Sequence, residues 1–345
     1  MNDATPLVDD ASPLVDPSCY HAAVAALLRS ADPAVDPALV LGSGASTCAT
    51  WDTDGLLAFA EPFVPFSAMA ERRGHRLVEH PVRDREGWLQ ALRHLERGHT
   101  AVAAAADGFH LSHFWPNRGR SHALHAVVVS DPDPVTGTLR LLDPGLELFH
   151  DGRVPLAEME AAMCAEQAGQ SWMELLPGTA APLPHGELIR YELTLASREL
   201  AGGEGGFLGG AEFLEGIRSQ LAVYVELVAE RPRGATGNEL NWGAGQNLLL
   251  GLWWYHNVLR WFARYLGALA DDGTVPLGPE PAASADRACR DVLVVRNLLM
   301  RLGVMPLDSP RARTFRGQID ARLGTARDAL AATSARLATA AGAHA

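Results

Sequence analysis

The stretch AGGEGGFLGG, Ala201 to Gly210, places six glycines in ten residues. Glycine costs a helix or strand interior roughly 0.5–1 kcal/mol against alanine, so such a run interrupts regular structure and reads as a linker. The patterning changes across it. Beyond Gly210 come four long stretches with apolar residues at helical spacing, near 211–231, 243–270, 283–303 and 309–340, as in Phe213, Ile217, Leu221 and Val225. Before it the signals are short and mixed. Strands are expected at Thr100–Ala106, His125–Asp131, Thr138–Asp143 and Leu188–Ala196, and helices at Gly87–Arg97 and Leu156–Ala168. DPDPVTG between the second and third strands is a hairpin signal. With 345 residues, 48% of them apolar, both parts can bury a core. The expected fold is an α+β domain over residues 1–200, a linker over 201–210 and an all-α four-helix bundle over 211–345.

Composition removes several classes of function. The net charge of −12 argues against nucleic acid as a partner, because phosphate binding needs a basic surface. All 29 basic residues are arginine. Without lysine there is no Schiff base, no phosphate-loop lysine and no serine–lysine dyad. The four cysteines, Cys19, Cys48, Cys164 and Cys289, lack any CxxC or CxH spacing, so neither a disulfide framework nor a zinc cluster is expected. The first nineteen residues hold Asp3, Asp9, Asp10 and Asp16 and no positive charge, unlike a secretory signal. The longest apolar run, NLLLGLWWYHNVLRWF, is broken by His256, Asn257 and Arg260, too early for a membrane span. A cytoplasmic protein without membrane contact is expected.

One cysteine stands where a helix begins, in DPSCYHAAVAALLRS, with Asp16 or Ser18 placed to cap it. A cysteine there gains from the positive end of the helix dipole, which favours thiolate, and from backbone N–H groups that can hold an oxyanion. A buried cysteine in a helix is also an ordinary small hydrophobe, so Cys19 needs partners to count as a nucleophile. SHALHAVVVSDPDPVTGTLRLLDPG, Ser121 to Gly145, offers them. His125 begins one strand and Asp143 ends the next, so an antiparallel hairpin sets the two side by side. Asp143 could then orient the imidazole while its other nitrogen faces Cys19. His122 is the alternative base; it could instead line the cleft. His21, two residues along the helix from Cys19, points to a different face, a weaker base candidate that is expected among the substrate-binding residues.

The three segments CYHAAVAALL, HAVVV and LLDPG together resemble the papain-like fold, and in particular the bacteriocin-processing C39 peptidases and the butirosin biosynthesis protein H N-terminal family. The resemblance covers residues 10 to 150, or to 198 with the last expected strand. It implies a catalytic triad of Cys19, His125 and Asp143. The peptidases carry a glutamine six residues before the cysteine as oxyanion donor, where this chain has Pro13. The donor is then expected to be a backbone N–H, that of Cys19 foremost, or another side chain that the sequence does not identify. The butirosin-type relationship implies transfer of an acyl group from a carrier-protein thioester to an amine.

Three readings follow: thiol-dependent acyl transfer to a small-molecule amine acceptor, a cysteine hydrolase acting on an amide, and a silent scaffold that binds a carrier protein or peptide. No resident cofactor is expected; a phosphopantetheine-linked acyl group would be the substrate, on an acyl or peptidyl carrier protein. FHLSHFWPNRGRSH, Phe109 to His122, reads either as ordinary loop packing or as a cleft cover bringing Phe114, Trp115 and Arg118 to substrate. Arg118 and Arg120 could meet a phosphate or an acidic carrier surface. His110, His113, His122 and His125 would hold a metal only from one helix face, which Pro116 and Gly119 interrupt, so none is expected. In GLWWYHNVLRWFARYLG, Trp254 is either core or part of a hydrophobic acyl pocket. Cys48, in GSGASTCATW, is expected in a structural turn.

Overall fold

The computed structural model describes residues 18–59, 66–115, 117–120, 122–145, 149–165, 170–178, 182–203, 206–229 and 244–342. Pro13 and Asp16, invoked above for the oxyanion and the cap, lie outside them. In chain order the elements are α1 (Cys19–Ala31), α2 (Pro37–Leu41), β1 (Ala49–Trp51), β2 (Leu57–Phe59), α3 (Phe66–Arg72), β3 (His75–Pro81), α4 (Arg85–Leu95), β4 (Ala101–Asp107), β5 (Leu124–Asp133), β6 (Thr138–Asp143), β7 (His150–Pro155), α5 (Leu156–Met163), β8 (Ser171–Pro177), α6 (His185–Ala201), α7 (Gly210–Ser219), α8 (Leu221–Ala229), α9 (Ala244–Asp272), α10 (Glu280–Leu302) and α11 (Pro310–Gly342). A mixed α+β region with a six-stranded antiparallel sheet is thus followed by a C-terminal helical bundle.

Two compact units divide the chain. Among the described residues the first holds 18–37 and 74–178, the second 38–73 and 182–342. In the first, the sheet runs β3-β8-β4-β5-β6-β7. Trp88, Ala91 and Leu95 of α4 and Met159, Ala162 and Met163 of α5 pack with Val127, Val129, Leu139, Leu141 and Trp172 into one core. Side chains alternate along a strand, so Val102, Val128 and Leu142, buried but outside that core, face the opposite side. There α1 lies on β5, β4 and β8. Residues His21 to Leu28 of α1 are all buried, as a helix apolar on every side requires.

The β4–β5 ladder shifts register between Ala103 and Ala106, and Ala105 in the shift has φ 54°. Pairing resumes at Ala106 opposite His125 and Asp107 opposite Leu124. A bulge of this kind re-aims side chains at a strand end. In the expected hairpin, the Asp133 carboxylate accepts from the Val135 and Thr136 N–H groups.

In the second unit a β1–β2 hairpin, α2 and α3 join six helices. The bundle is built on α9, α10 and α11, with α6 and α7 packed on α11. The strand expected at Leu188–Ala196 is part of helix α6. Leu188, Ile189, Leu193, Ala196 and Leu200, at helical spacing, are its buried face. The glycine run joins α6 to α7 within this unit: Gly202 and Gly203 N–H both donate to Arg198 O, and Gly203 has φ +81° with Phe207 O where a Cβ would stand. The first expected long helix is broken at Gln220 into α7 and α8. The carboxylate of Glu192, buried, accepts from Arg73 at 2.5 Å and from Tyr265 Oη at 2.9 Å. Cys48 sits buried in the irregular segment before β1 at φ 49°, its N–H donating to Ser46 Oγ.

Candidate active site

Cys19, His125, Asp143 and the histidines around them all belong to the first unit. Ser18 caps α1, its Oγ accepting from His21 N–H, so Cys19 is the first helical residue. β5 runs antiparallel to β4 and β6, so its first residues meet the last residues of both. His125, buried, donates from Nε2 to Asp143 Oδ2 at 2.6 Å. That leaves Nδ1 for the side of Cys19, whose thiol and the imidazole shift each other's titration.

Burial raises the Cys19 thiol, but the His125 charge, its hydrogen bond and the Ala126 N–H outweigh that, and its pKa falls below the ordinary value. Burial acts on His125 in the opposite sense; the Cys19 charge and the hydrogen bonds to Asp143 and Cys19 prevail and push it up to about 10. The two favour thiolate beside imidazolium. Cys48, in the second unit, and Cys164 show the contrast, since burial pushes both thiols up.

Asp143 is fully buried, yet hydrogen bonds from His113, His125 and Gly145 N–H hold its carboxyl well below the usual range against that burial. His113 Nε2 donates to the same Oδ2 at 3.1 Å, and Gly145 N–H to Oδ1 at 3.0 Å. His150, opposite Asp143 on β7, stacks on His113 at 4.9 Å. Phe114 stacks on His125 at 4.3 Å and 11°. A Cβ on Gly108 would fall 2.3 Å from that phenyl ring, so the glycine is what lets Phe114 sit there.

The other expected residues are placed differently. His122 donates from Nδ1 to Asp107 Oδ2 at 2.6 Å, and His110 Nε2 is 3.9 Å from the same oxygen. The four spaced histidines therefore form two pairs, one on Asp107 and one on Asp143, instead of one set on a helix face. The donor atoms of His113, His125 and Asp143 lie within 4.8 Å of one another, a convergence that the two imidazole hydrogen bonds to one carboxylate oxygen account for. His21 is buried against Ser18 Oγ at 2.8 Å. Trp115 is exposed, and Arg118 is exposed with its guanidinium 3.9 Å from Glu158. Trp254 lies on α9 in the second unit, half-buried.

The sequence alone assigns no catalytic role to His113, His150 and Asp107. Asp107 has a signal: AAAAD ends an apolar strand with an acid, as LLD does at Asp143. His113 has none, because a loop must fold back to bring it to Asp143. No protein-family model matches the sequence, and no curated protein matches it.

Proposed function

We propose that the protein is a papain-like, thiol-dependent acyltransferase that moves an acyl group from a thioester, a carrier-bound one in the simplest case, through Cys19 to an amine. The observation that carries the reading is the hydrogen-bonded pair His125–Asp143 beside half-buried Cys19 at a helix start, with the thiol lowered and the imidazole raised by their interaction. The pattern also supports the resemblance to the bacteriocin-processing peptidases and the butirosin-type proteins.

The Cys19 thiolate attacks the thioester carbonyl, forming a new carbon–sulfur bond. The oxyanion takes the Cys19 backbone N–H at the start of α1. As the donor's carbon–sulfur bond breaks, the imidazolium of His125 protonates the leaving thiolate and becomes neutral. An amine then attacks the acyl-enzyme, the bond to Cys19 breaks, and His125 takes a proton from nitrogen. Asp143 holds the ring throughout. Water in place of the amine would give hydrolysis at the same residues.

The first test is alkylation by iodoacetamide read by intact-protein and peptide mass. Cys19 is expected to react near pH 6 at least about tenfold faster than Cys48 and Cys164, because only its thiol is lowered. His125→Ala should abolish that advantage, since burial alone raises the thiol. Equal slow labelling of all three, unaffected by the variant, would sink the reading. Products from a model thioester with and without amine then separate transfer from hydrolysis.

A further inference from the structure

The triad has a counterpart one residue step away. β4 and β6 flank β5 and end at the same edge of the sheet, each in a buried aspartate that carries two histidines. On β6 these are Asp143 with His125 and His113; on β4, Asp107 with His122 and His110. Asp107 follows Ala106, the cross-strand partner of His125. Its Oδ1 accepts from Phe109 N–H at 3.0 Å and its Oδ2 from His122 Nδ1 at 2.6 Å. Phe109 stacks on the His122 ring at 4.6 Å and 13°, fixing its plane. Yet the His122 side chain is 51% exposed. A buried carboxylate that orients one nitrogen of a solvent-facing imidazole leaves Nε2 to exchange protons with a bound molecule and with water.

We propose that Asp107–His122 is a second base, which deprotonates a positively charged amine acceptor. This rests on the acyl-transfer reading above and follows from its proton balance. After acylation His125 is neutral and can take one proton. An alkylamine, with a pKa of about 10 like a lysine side chain, arrives at neutral pH as ammonium with three N–H bonds. The amide keeps one, His125 takes the second as the Cys19 thiolate is released, and the third needs another acceptor. His122 Nε2 takes it and passes it to water. Water as acceptor arrives uncharged and needs no second base, so the dyad favours transfer to cationic amines over hydrolysis.

The test uses the full chain, an N-acetylcysteamine thioester as donor, and two acceptors at pH 7, propylamine and hydroxylamine. Hydroxylamine is uncharged at that pH and spares the third proton. The readout is the ratio of the two aminolysis rates of acyl-Cys19. In His122→Gln the propylamine to hydroxylamine ratio is expected to fall tenfold or more. An unchanged ratio would overturn the second base and leave His122 as the partner of a buried carboxylate. The wild type supplies a second measurement: with His122 accepting from ammonium, the ratio should rise by clearly less than tenfold per pH unit between pH 7.5 and 9, where hydroxylamine stays uncharged. A full tenfold rise per unit means that only uncharged amine reacts, and overturns the proposal. If wild-type Cys19 never gains the acyl mass, the acyl-transfer reading itself fails and the second base with it; acyl-Cys19 with an unchanged ratio sinks the second base alone.

Discussion

Asp143 carries the electrostatics of the site at the scale of one residue. Its Oδ2 receives two imidazole N–H groups and its Oδ1 a backbone N–H, and the carboxylate itself is fully buried. Hydrogen bonds to a buried charge contribute about 1.5–3 kcal/mol each in mutational series, and they act on the ionised form. Asp143→Asn is therefore expected to cost about 2 kcal/mol at pH 7 and to slow Cys19 alkylation at pH 6, because the imidazolium loses its counter-charge. The sign of the pH dependence follows from the depressed carboxyl. Its stabilisation is complete above the unfolded value of about 3.9 and is lost as pH falls below it, so wild-type stability should drop more steeply than that of the variant between pH 5 and 2. Denaturant midpoints across that range check it; parallel slopes would contradict it. Cys19, His125 and Asp143 were legible because each sits at an element boundary that sequence marks: a cap, the start of an apolar run, an acid before DPG. His113 was not, since only tertiary folding of the 108–120 loop brings it to the carboxylate.

At the scale of elements, the β4 bulge and the loop after it decide where His125 faces. Ala105 holds a left-handed backbone, which costs a non-glycine residue roughly 1–2 kcal/mol. Ala105→Gly is expected to stabilise by up to about 1 kcal/mol with Cys19 reactivity retained, whereas Gly108→Ala drives Phe114 off the His125 ring and costs about 1–3 kcal/mol. Melting temperature and Cys19 labelling rate read both; a neutral Gly108→Ala would mean that the phenyl ring does not hold the imidazole. Neither feature is legible in TAVAAAADGFH, because a run of alanines gives no sign of which residue takes the extra place. β4, β5 and β6 could be read from their apolar runs and from the turn between the last two. β3, HRLVEHP, could not: its partner on one edge is β8, nearly a hundred residues later, and its alternation is masked by charge and histidine. LIRYELTLA looked like a strand because β-branched and aromatic residues sit in it, yet the spacing of Leu188, Ile189, Leu193, Ala196 and Leu200 is that of a helix face, which wins once α11 covers it.

For the whole molecule, the two units are not continuous along the chain. The proposed catalytic groups all belong to a unit that the chain leaves at residue 38 and rejoins at residue 74, and the intervening α2, the β1–β2 hairpin and α3 belong with the bundle. The glycine run at 201–210, the strongest punctuation in the sequence, falls inside the second unit and not at its border, so composition points to a boundary that packing does not use. A fragment of residues 1–200 would keep Cys19, His125 and Asp143 but lose α7 to α11. Within it Leu188, Ile189, Leu193 and Leu200 of α6, each nearly or wholly buried, would lose α11, and Glu192 would lose Tyr265. Each such aliphatic side chain exposed gives up about 1.5–3 kcal/mol, and the four together approach or exceed the net stability of an ordinary domain. The 1–200 fragment is therefore expected to aggregate or to show local unfolding of 38–59, 66–73 and 185–200 by hydrogen exchange. A soluble 1–200 fragment whose 185–200 amides stay protected would show that α6 holds its structure without the bundle.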